Sequence, residues 1–258
     1  MTRILSALVM AALTLASLWW LPSSGLLVVV LAVAAAAFRE WHRMNTALGV
    51  SVPFWPVLTA TLLTCAMVPY PHVSPMLVVW MSVPVSAFVV LRSTATGPGT
   101  LTSVAVAVLT PLYIGWPLGA LVALHAGRGR DAVFLLLATV VASDSAQYYA
   151  GRTFGRHPLA PARSPKKTIE GALGGMVVAP LVLMALGRLW APDVALPVLG
   201  LVGLLVVVAG ITGDLFESMI KRAASMKDSG TLIPGHGGVL DRIDALLFTT
   251  PVLYWVLR

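Results

Sequence analysis

The sequence predicts an all-α integral membrane protein with about nine transmembrane helices and cytoplasmic polar loops. Hydrophobic residues form 58% of the 258 residues and charged residues only 10%, with a mean hydropathy of +0.90. Soluble domains carry about 25% charged residues. The apolar runs are long and lack the two-residue alternation of a membrane β-barrel, which leaves helices as the spanning structure.

The predicted spans follow one another along the whole chain. They fall at residues 4–21, 25–38, 56–70, 76–91, 102–125, 132–150, 172–190, 195–213 and 245–257. The second and the last are short for a complete crossing, and the fifth contains Pro111 and Pro117. The first run could be a cleaved signal peptide, but it is long for one and further spans follow. We therefore expect it to be retained.

Basic residues predict the orientation in the membrane. With the N-terminus in the cytoplasm, thirteen of the 17 Lys and Arg residues fall on the cytoplasmic side and four outside. The net charge of +7 fits loops that face anionic lipid or an anionic substrate, and no basic soluble domain suggests nucleic acid. The single cysteine, Cys65, excludes an intrachain disulfide and makes thiolate metal binding a poor explanation.

Acidic residues predict two regions of different function. Eight of the ten lie between Asp144 and Asp244, and only Glu40 and Asp131 precede them. We therefore expect residues 1–130 to be an N-terminal transmembrane scaffold and residues 131–258 to be a C-terminal transmembrane catalytic region.

The first polar group lies near the end of the sixth predicted span. Asp144, Gln147 and Tyr148 share a helix face by their spacing. An Asp within an apolar helix is unfavourable by a few kcal/mol, roughly, so a cationic partner is expected. The alternative to a functional role is a structural ion pair with Arg152 or another nearby base.

The loop at residues 152–170 contains five Lys or Arg residues and one acid. Its segment 164–168 reads Ser-Pro-Lys-Lys-Thr and leads into Glu170 and a Gly-rich span. Hydroxyls, lysines and a helix start together suit phosphate. The alternative is an ordinary positive-inside loop that touches lipid headgroups.

A polar stripe is predicted where the eighth span ends. Asp214, Glu217, Ser218 and Lys221 have helical spacing and share one face. Carboxylates and a hydroxyl suit an oxygen-liking cation such as Mg²⁺. The alternative is a solvated helix end with a Glu217–Lys221 pair.

A Gly-rich turn precedes the last span. Residues 234–238 read Pro-Gly-His-Gly-Gly, and glycine backbones can approach phosphate closely. Asp241 and Asp244 lie one helical turn apart after it; the alternative roles are an N-cap and a first-turn acid. His236 by itself gives no reason to assign a general base. Divalent metal, basic clamps and a membrane cavity are the requirements of phosphoryl or nucleotidyl transfer.

The segment from Ser218 to Asp244 resembles the signature of phosphatidate cytidylyltransferase, also called CDP-diacylglycerol synthase. The matching residues are Ser218, Lys221-Arg222, Lys227-Asp228, Pro234-Gly235-His236-Gly237-Gly238 and Asp241-Arg242-Ile243-Asp244. The upstream segment also resembles the family, except that Ile169 stands where many members have an aromatic residue. The strong resemblance covers about residues 140–245.

The resemblance implies a homodimeric, multi-pass enzyme of the inner or plasma membrane whose active site faces the cytoplasm. It would condense CTP with phosphatidic acid to give CDP-diacylglycerol and pyrophosphate. The Mg²⁺ ligands would be Asp214 and Asp241, with Asp144 and Asp244 next in line, and the family allows a monovalent cation such as K⁺ beside the Mg²⁺. The catalytic residues would be Asp214, Ser218, Lys221, Asp241 and Asp244. The substrate-binding residues would be Lys166, Lys167, Arg222, Lys227, His236, Gly237, Gly238 and Arg242.

Three other classes of protein fit the sequence less well. A CDP-alcohol phosphotransferase would carry a fixed series of Asp, Gly and Ala-Arg that the chain lacks. An anion transporter would place polar residues in two inverted repeats, whereas here they crowd into one half. A purely structural membrane protein would not account for the signature.

Overall fold

The structure is a computed structural model that describes residues 2–70, 72, 74–92, 97, 99–161 and 164–258. It is 79% helical, which confirms the all-α membrane class. The helices are α1 Thr2–Trp20, α2 Ser23–Ala47, α3 Phe54–Met67, α4 Pro75–Arg92, α5 Thr100–Thr110, α6 Trp116–Arg128, α7 Arg130–Phe154, α8 Ile169–Trp190, α9 Leu196–Ala223 and α10 Leu240–Leu257. A π-helical turn, Pro111–Gly115, joins α5 to α6. Two short strands, β1 Pro158–Ala160 and β2 Ser164–Thr168, lie between α7 and α8.

Every predicted span corresponds to a helix, with α5, the π turn and α6 forming one continuous element. In the described part of the chain, five helices are long and apolar enough to cross a membrane. They are Ser23–Ala47, Thr100–Arg128, Arg130–Phe154, Ile169–Trp190 and Leu196–Ala223. The chain is therefore a multi-pass membrane protein, and a count of nine crossings stays a prediction.

Helix α2 is longer than the predicted second span. It has 25 residues and continues to Ala47, past the charged residues Arg39 and Glu40. The predicted span ended where the hydropathy falls at those charges, but the helix continues through them. Proline sets its other end, because Pro22 takes an extended backbone conformation immediately before the first turn.

The chain forms two compact units. The first contains residues 1–123 and 223–242, and the second contains residues 124–222 and 243–258. The predicted boundary near residue 130 lies close to the end of the first segment. Residues 223–242, however, which the sequence assigns to the catalytic region, pack with the N-terminal residues. The functional division into scaffold and catalytic region stays a prediction.

Small residues allow close helix packing in the first unit. A Cβ placed on Gly119 would lie 2.5 Å from the carbonyl oxygen of Cys65, so α6 and α3 nearly touch at their backbones. Helix α2 is fixed to α5 by a buried hydrogen bond of 2.9 Å, which Trp41 Nε1 donates to Thr110 Oγ1. Pro111 begins the π turn, because proline cannot donate the next helical hydrogen bond.

The second unit is built the same way. A Cβ on Gly174 of α8 would lie 2.6 Å from Ala150 Cβ of α7, and one on Gly203 of α9 would lie 2.5 Å from Pro180 Cα of α8. Gly213 brings α9 equally close to the backbone of α10. Because these helices pack so closely, the polar ends of α7, α8, α9 and α10 lie together.

The basic loop at residues 152–170 contains an antiparallel β-hairpin that the all-helical prediction did not include. Pro158 pairs with Thr168 and Ala160 with Ser164. Thr168 also caps α8 by accepting the Gly171 N–H at 3.1 Å, which confirms the predicted helix start. Residues 162 and 163 of this loop, including the basic Arg163 predicted to be cytoplasmic, lie outside the described residues.

The base of the hairpin is held by Glu170. Its Oε2 accepts the backbone N–H groups of Arg156 at 3.1 Å and His157 at 3.3 Å. Its Oε1 lies 2.6 Å from His157 Nδ1. One carboxylate thus fixes both the entry to the hairpin and the start of α8.

Candidate functional site

A cavity of about 450 Å³ lies in the second unit, bounded by α7, the hairpin, α8, α9 and α10. The hairpin contributes its second strand, which carries the adjacent lysines of the basic loop. The structure brings together here five residues that the sequence predicts as site residues: Asp144, Lys166, Lys167, Asp214 and Asp244.

Asp214 is contacted by two other predicted site residues. Lys167 Nζ lies 2.5 Å from Asp214 Oδ2, and Ser218 Oγ donates to Asp214 Oδ1 at 3.2 Å. The Lys167 and Asp214 side chains are 23% and 38% exposed, so both are reachable from the cavity. The contact ties the hairpin to the end of α9.

The predicted Glu217–Lys221 pair forms, with Lys221 Nζ 3.0 Å from Glu217 Oε2. The helix end is not solvated, however, because the Glu217 side chain is fully buried and that of Lys221 is only 12% exposed. Asp244 Oδ1 accepts the Ala245 N–H at 2.8 Å, as expected for an acid in a first turn.

Asp144 has a polar neighbour on its own helix. Gln147 Nε2 donates to Asp144 Oδ1 at 3.2 Å, which fits their predicted common face. No salt bridge joins Asp144 to Arg152 or to another basic residue in the part of the chain that the structure describes, so the alternative ion pair is not seen there. Arg152 Nη1 instead donates to the Tyr148 hydroxyl at 3.3 Å.

Asp241 lies in the first unit, in the first turn of α10. Its Oδ2 accepts the Ser229 N–H at 2.8 Å, the Ser229 hydroxyl at 2.9 Å and the Gly238 N–H at 2.8 Å. The side chain therefore reaches back to the preceding loop instead of capping the helix ahead of it.

The Gly-rich turn has the backbone that its glycines suggest. Gly235 and Gly237 have φ angles of 76° and 82°, in the left-handed region. His236 lies between them, and its Nδ1 is 2.8 Å from Ser6 Oγ, which also donates to the Pro234 carbonyl at 3.0 Å. Phosphate binding by this turn stays a prediction.

Glu40 is the residue that the sequence assigned to the scaffold and that the structure places against the signature segment. Its Oε2 accepts the Ser229 hydroxyl and the Leu240 N–H, each at 2.8 Å, and its Oε1 accepts the Val239 N–H at 3.0 Å. The sequence contained one signal for this role, because Glu40 is an acidic residue in a region that has almost no others. A buried carboxylate requires hydrogen-bond partners, so such a residue indicates a contact with another segment.

Substrate binding by the remaining predicted site residues stays a prediction. Arg222 lies in the last turn of α9, Lys227 and Gly238 lie in the loop that follows, and Arg242 lies in the first turn of α10.

The donor chemistry of the cavity suits a hard cation. Asp144, Asp214 and Asp244 line it, and carboxylate oxygens are the ligands that Mg²⁺ prefers. Among the described residues, no group of three or more His, Cys, Asp or Glu side chains is arranged to hold a metal.

Comparison with known proteins identifies relatives over the whole chain. The sequence model of the cytidylyltransferase family matches residues 1–258. A phosphatidate cytidylyltransferase from Brucella suis biovar 1 is 32% identical over 263 aligned residues, which cover 98% of this chain and 91% of the relative.

Other relatives match over a shorter segment. The uncharacterized protein YnbB of Escherichia coli is 45% identical over 50% of this chain and 43% of its own length. A phosphatidate cytidylyltransferase of Bacillus subtilis is 43% identical over 50% of this chain and 48% of its own length. The chain thus spans about half the length of these two relatives.

Proposed function

The chain belongs to the cytidylyltransferase family, and from that premise we propose that it is a phosphatidate cytidylyltransferase. In this reaction CMP passes from CTP to phosphatidic acid, and the products are CDP-diacylglycerol and pyrophosphate. Relatives named phosphatidate cytidylyltransferase support the choice of substrates.

One observation carries the proposal: the cavity that combines carboxylates with lysines. Asp144, Asp214 and Asp244 line it beside Lys166 and Lys167. Such a site has cations for the phosphates of a nucleotide and carboxylates for an accompanying metal ion. It lies among apolar helices, so a lipid substrate can approach from the membrane.

The reaction proceeds by direct transfer. A non-bridging oxygen of the phosphatidate phosphate attacks the α-phosphorus of CTP, and a new P–O bond forms. The bond from the α-phosphorus to the oxygen that bridges to the β-phosphate breaks, and pyrophosphate leaves with that electron pair. The attacking oxygen is already anionic, so no side chain has to remove a proton from it.

The chain's own residues then orient the phosphates and balance their charge. Lys166 and Lys167 approach the triphosphate from the hairpin, and Lys221 is held by its ion pair with Glu217 on α9. Ser218 orients the Asp214 carboxylate through its hydrogen bond. Preorganised charges of this kind supply most of the rate enhancement in phosphoryl transfer.

Mg²⁺ is the proposed cofactor, and Asp144 and Asp214 would hold it, with Asp244 close by. When bound, the ion neutralises the charge that develops toward pyrophosphate. Asp241 as a second Mg²⁺ ligand, and a monovalent cation such as K⁺, stay predictions from the family resemblance.

We further propose a homodimer in the inner or plasma membrane with this cavity open to the cytoplasm. The excess of basic residues in the predicted cytoplasmic loops supports that orientation. The bilayer is the source of phosphatidic acid, and CTP comes from the cytoplasm.

The test is product formation by the purified protein in detergent with labelled CTP, Mg²⁺ and one of two lipids. Phosphatidic acid should give labelled CDP-diacylglycerol, and diacylglycerol, which lacks the attacking phosphate, should give none. Asp214→Asn should abolish the product, while Asp131→Asn, at an exposed acid at the start of α7, should not. A wild-type protein that makes no lipid product under varied metals would contradict the proposal.

A further inference from the structure

Glu40 is a buried carboxylate, 8% exposed, near the end of α2. The donors that reach it come from Ser229, Val239 and Leu240, at distances of 2.8 to 3.0 Å. They are 189 to 200 residues away along the chain. The contact is therefore a tertiary feature of the first unit, in which all four residues lie.

Two of these donors are backbone groups at the start of α10. Leu240 is the first residue of that helix and Val239 precedes it. N–H groups at a helix start have no acceptor within the helix, and negative charge there is favourable. Glu40 thus caps α10 from another helix.

The third donor connects Glu40 to a predicted site residue. The Ser229 side chain is fully buried, and its hydroxyl lies 2.8 Å from Glu40 Oε2 and 2.9 Å from Asp241 Oδ2. The Asp241 carboxylate also accepts the backbone N–H of Ser229. One bridging serine therefore joins the two carboxylates.

The surrounding glycines are shaped to the Glu40 side chain. A Cβ on either Gly230 or Gly238 would overlap the Glu40 carboxylate, and the one on Gly238 would also overlap Ser229 Oγ. Neither glycine has a left-handed φ, so the requirement at both positions is space and not backbone conformation. The close approach of Glu40 therefore explains why a glycine stands at position 238, the second glycine of the His-Gly-Gly sequence. No bound phosphate is needed to explain it.

We propose that Glu40 is a positioning residue for the transfer reaction. It holds residues 228–242, which include the predicted site residues Asp241 and Arg242, in a single conformation. This role rests on the proposed function, because Asp241 and Arg242 matter to catalysis only if the nucleotidyl transfer takes place. The N-terminal region then supplies a residue on which the reaction depends, and is more than a scaffold.

The kinetic test compares Glu40→Gln with Arg39→Gln, an exposed neighbour on the same helix. Glutamine keeps the size of Glu40, but its NH₂ group would face a backbone N–H donor. We expect product formation per folded molecule to fall about tenfold or more, as for residues that orient metal ligands. The Mg²⁺ concentration for half-maximal activity should rise, and high Mg²⁺ should restore part of the rate. Arg39→Gln should leave both unchanged.

A merely structural role gives a different result. Glu40→Gln would then lower the unfolding temperature while its rate and Mg²⁺ dependence per folded molecule stay at wild-type values, and that result would overturn the proposal. If Glu40→Gln does not fold, Ser229→Ala breaks the same bridge with less disruption. Wild-type kinetics in Ser229→Ala would also overturn it.

Hydrogen exchange separates failure of this inference from failure of the proposed function. In both variants the amides of residues 229–240 should exchange faster than in wild type, while the hairpin at 158–168 should not change. Unchanged exchange at residues 229–240 would show that Glu40 does not hold the segment. If the wild-type protein makes no product and the variants still exchange faster at residues 229–240, Glu40 holds the segment but the proposed function is wrong. The role of Glu40 in catalysis is then wrong as well.

Discussion

Lys167 Nζ lies 2.5 Å from Asp214 Oδ2, so the hairpin before α8 is fixed to the end of α9 by an ion pair inside the cavity. Both residues are predicted site residues, yet their contact was not predicted. The pair holds a lysine that we propose to bind phosphate beside a carboxylate that we propose to bind metal. The hairpin therefore lines the candidate site.

Replacement of Lys167 tests this relationship. Lys167→Met should lower product formation about 100-fold or more, because one preorganised charge near a reacting phosphate is worth about that much. The matched control is Arg188→Gln, which removes an exposed charge in the last turn of α8. Initial rates at saturating CTP and phosphatidic acid would measure the effect. Equal rates for the two variants would show that Lys167 serves only to hold the hairpin.

Glu170 should control the order of the hairpin. Glu170→Gln weakens the contact with His157 Nδ1 and the two backbone hydrogen bonds. We expect faster hydrogen exchange at residues 156–168 and a higher KM for CTP, with little change in the exchange of α9. Asp131→Asn is the control for loss of an exposed acid. A hairpin that exchanges at the wild-type rate in Glu170→Gln would contradict this view of its base.

Helix packing in the second unit makes a prediction about stability. A Cβ on Gly203 would lie 2.5 Å from the backbone Cα of Pro180, which cannot move aside, whereas one on Gly200 would lie 3.3 Å from the flexible Met184 Sδ. Gly203→Ala should therefore destabilise the protein by about 1–3 kcal/mol through overpacking. Gly200→Ala should have a much smaller effect. Thermal unfolding in detergent compares them, and equal midpoints would count against the packing of α8 and α9.

The Arg128–Asp193 pair predicts a weak pH dependence of stability. A hydrogen bond from Arg128, 2.7 Å long, holds the pKa of Asp193 below its usual value. The resulting stabilisation is fully present above the unfolded-state pKa and is lost as pH falls through the lower folded-state pKa. Unfolding midpoints of wild type and Asp193→Asn should differ slightly at neutral pH and converge below about pH 4. Because the pair is exposed, salt should reduce the difference. Divergence at low pH would refute this.

Much of the fold follows from hydropathy. Every apolar run became a helix, because a lipid environment leaves the backbone few other ways to satisfy its hydrogen bonds. The hairpin was missed because Ser164 to Thr168 are polar and include a proline, so they show no strand pattern. Its stability comes instead from Glu170 and the start of α8.

The site could be predicted in part. Helical spacing placed Asp214 and Ser218 on one face, and their hydrogen bond fits it. The burial of Glu217 and the role of Glu40 could not be read from spacing, because both depend on which distant segment covers the side chain. The need for glycine at position 238 could not be read from spacing either, because the side chain that requires it belongs to Glu40, 198 positions earlier in the chain.

The most direct measurement of the central claim follows the label from CTP that carries ³²P at either the α- or the γ-phosphate. Purified protein with phosphatidic acid and Mg²⁺ should move the α-label into lipid and leave the γ-label in pyrophosphate, with one pyrophosphate per lipid product. That result would establish nucleotidyl transfer. A γ-label in lipid would mean phosphoryl transfer instead, and no label in lipid would contradict the account altogether.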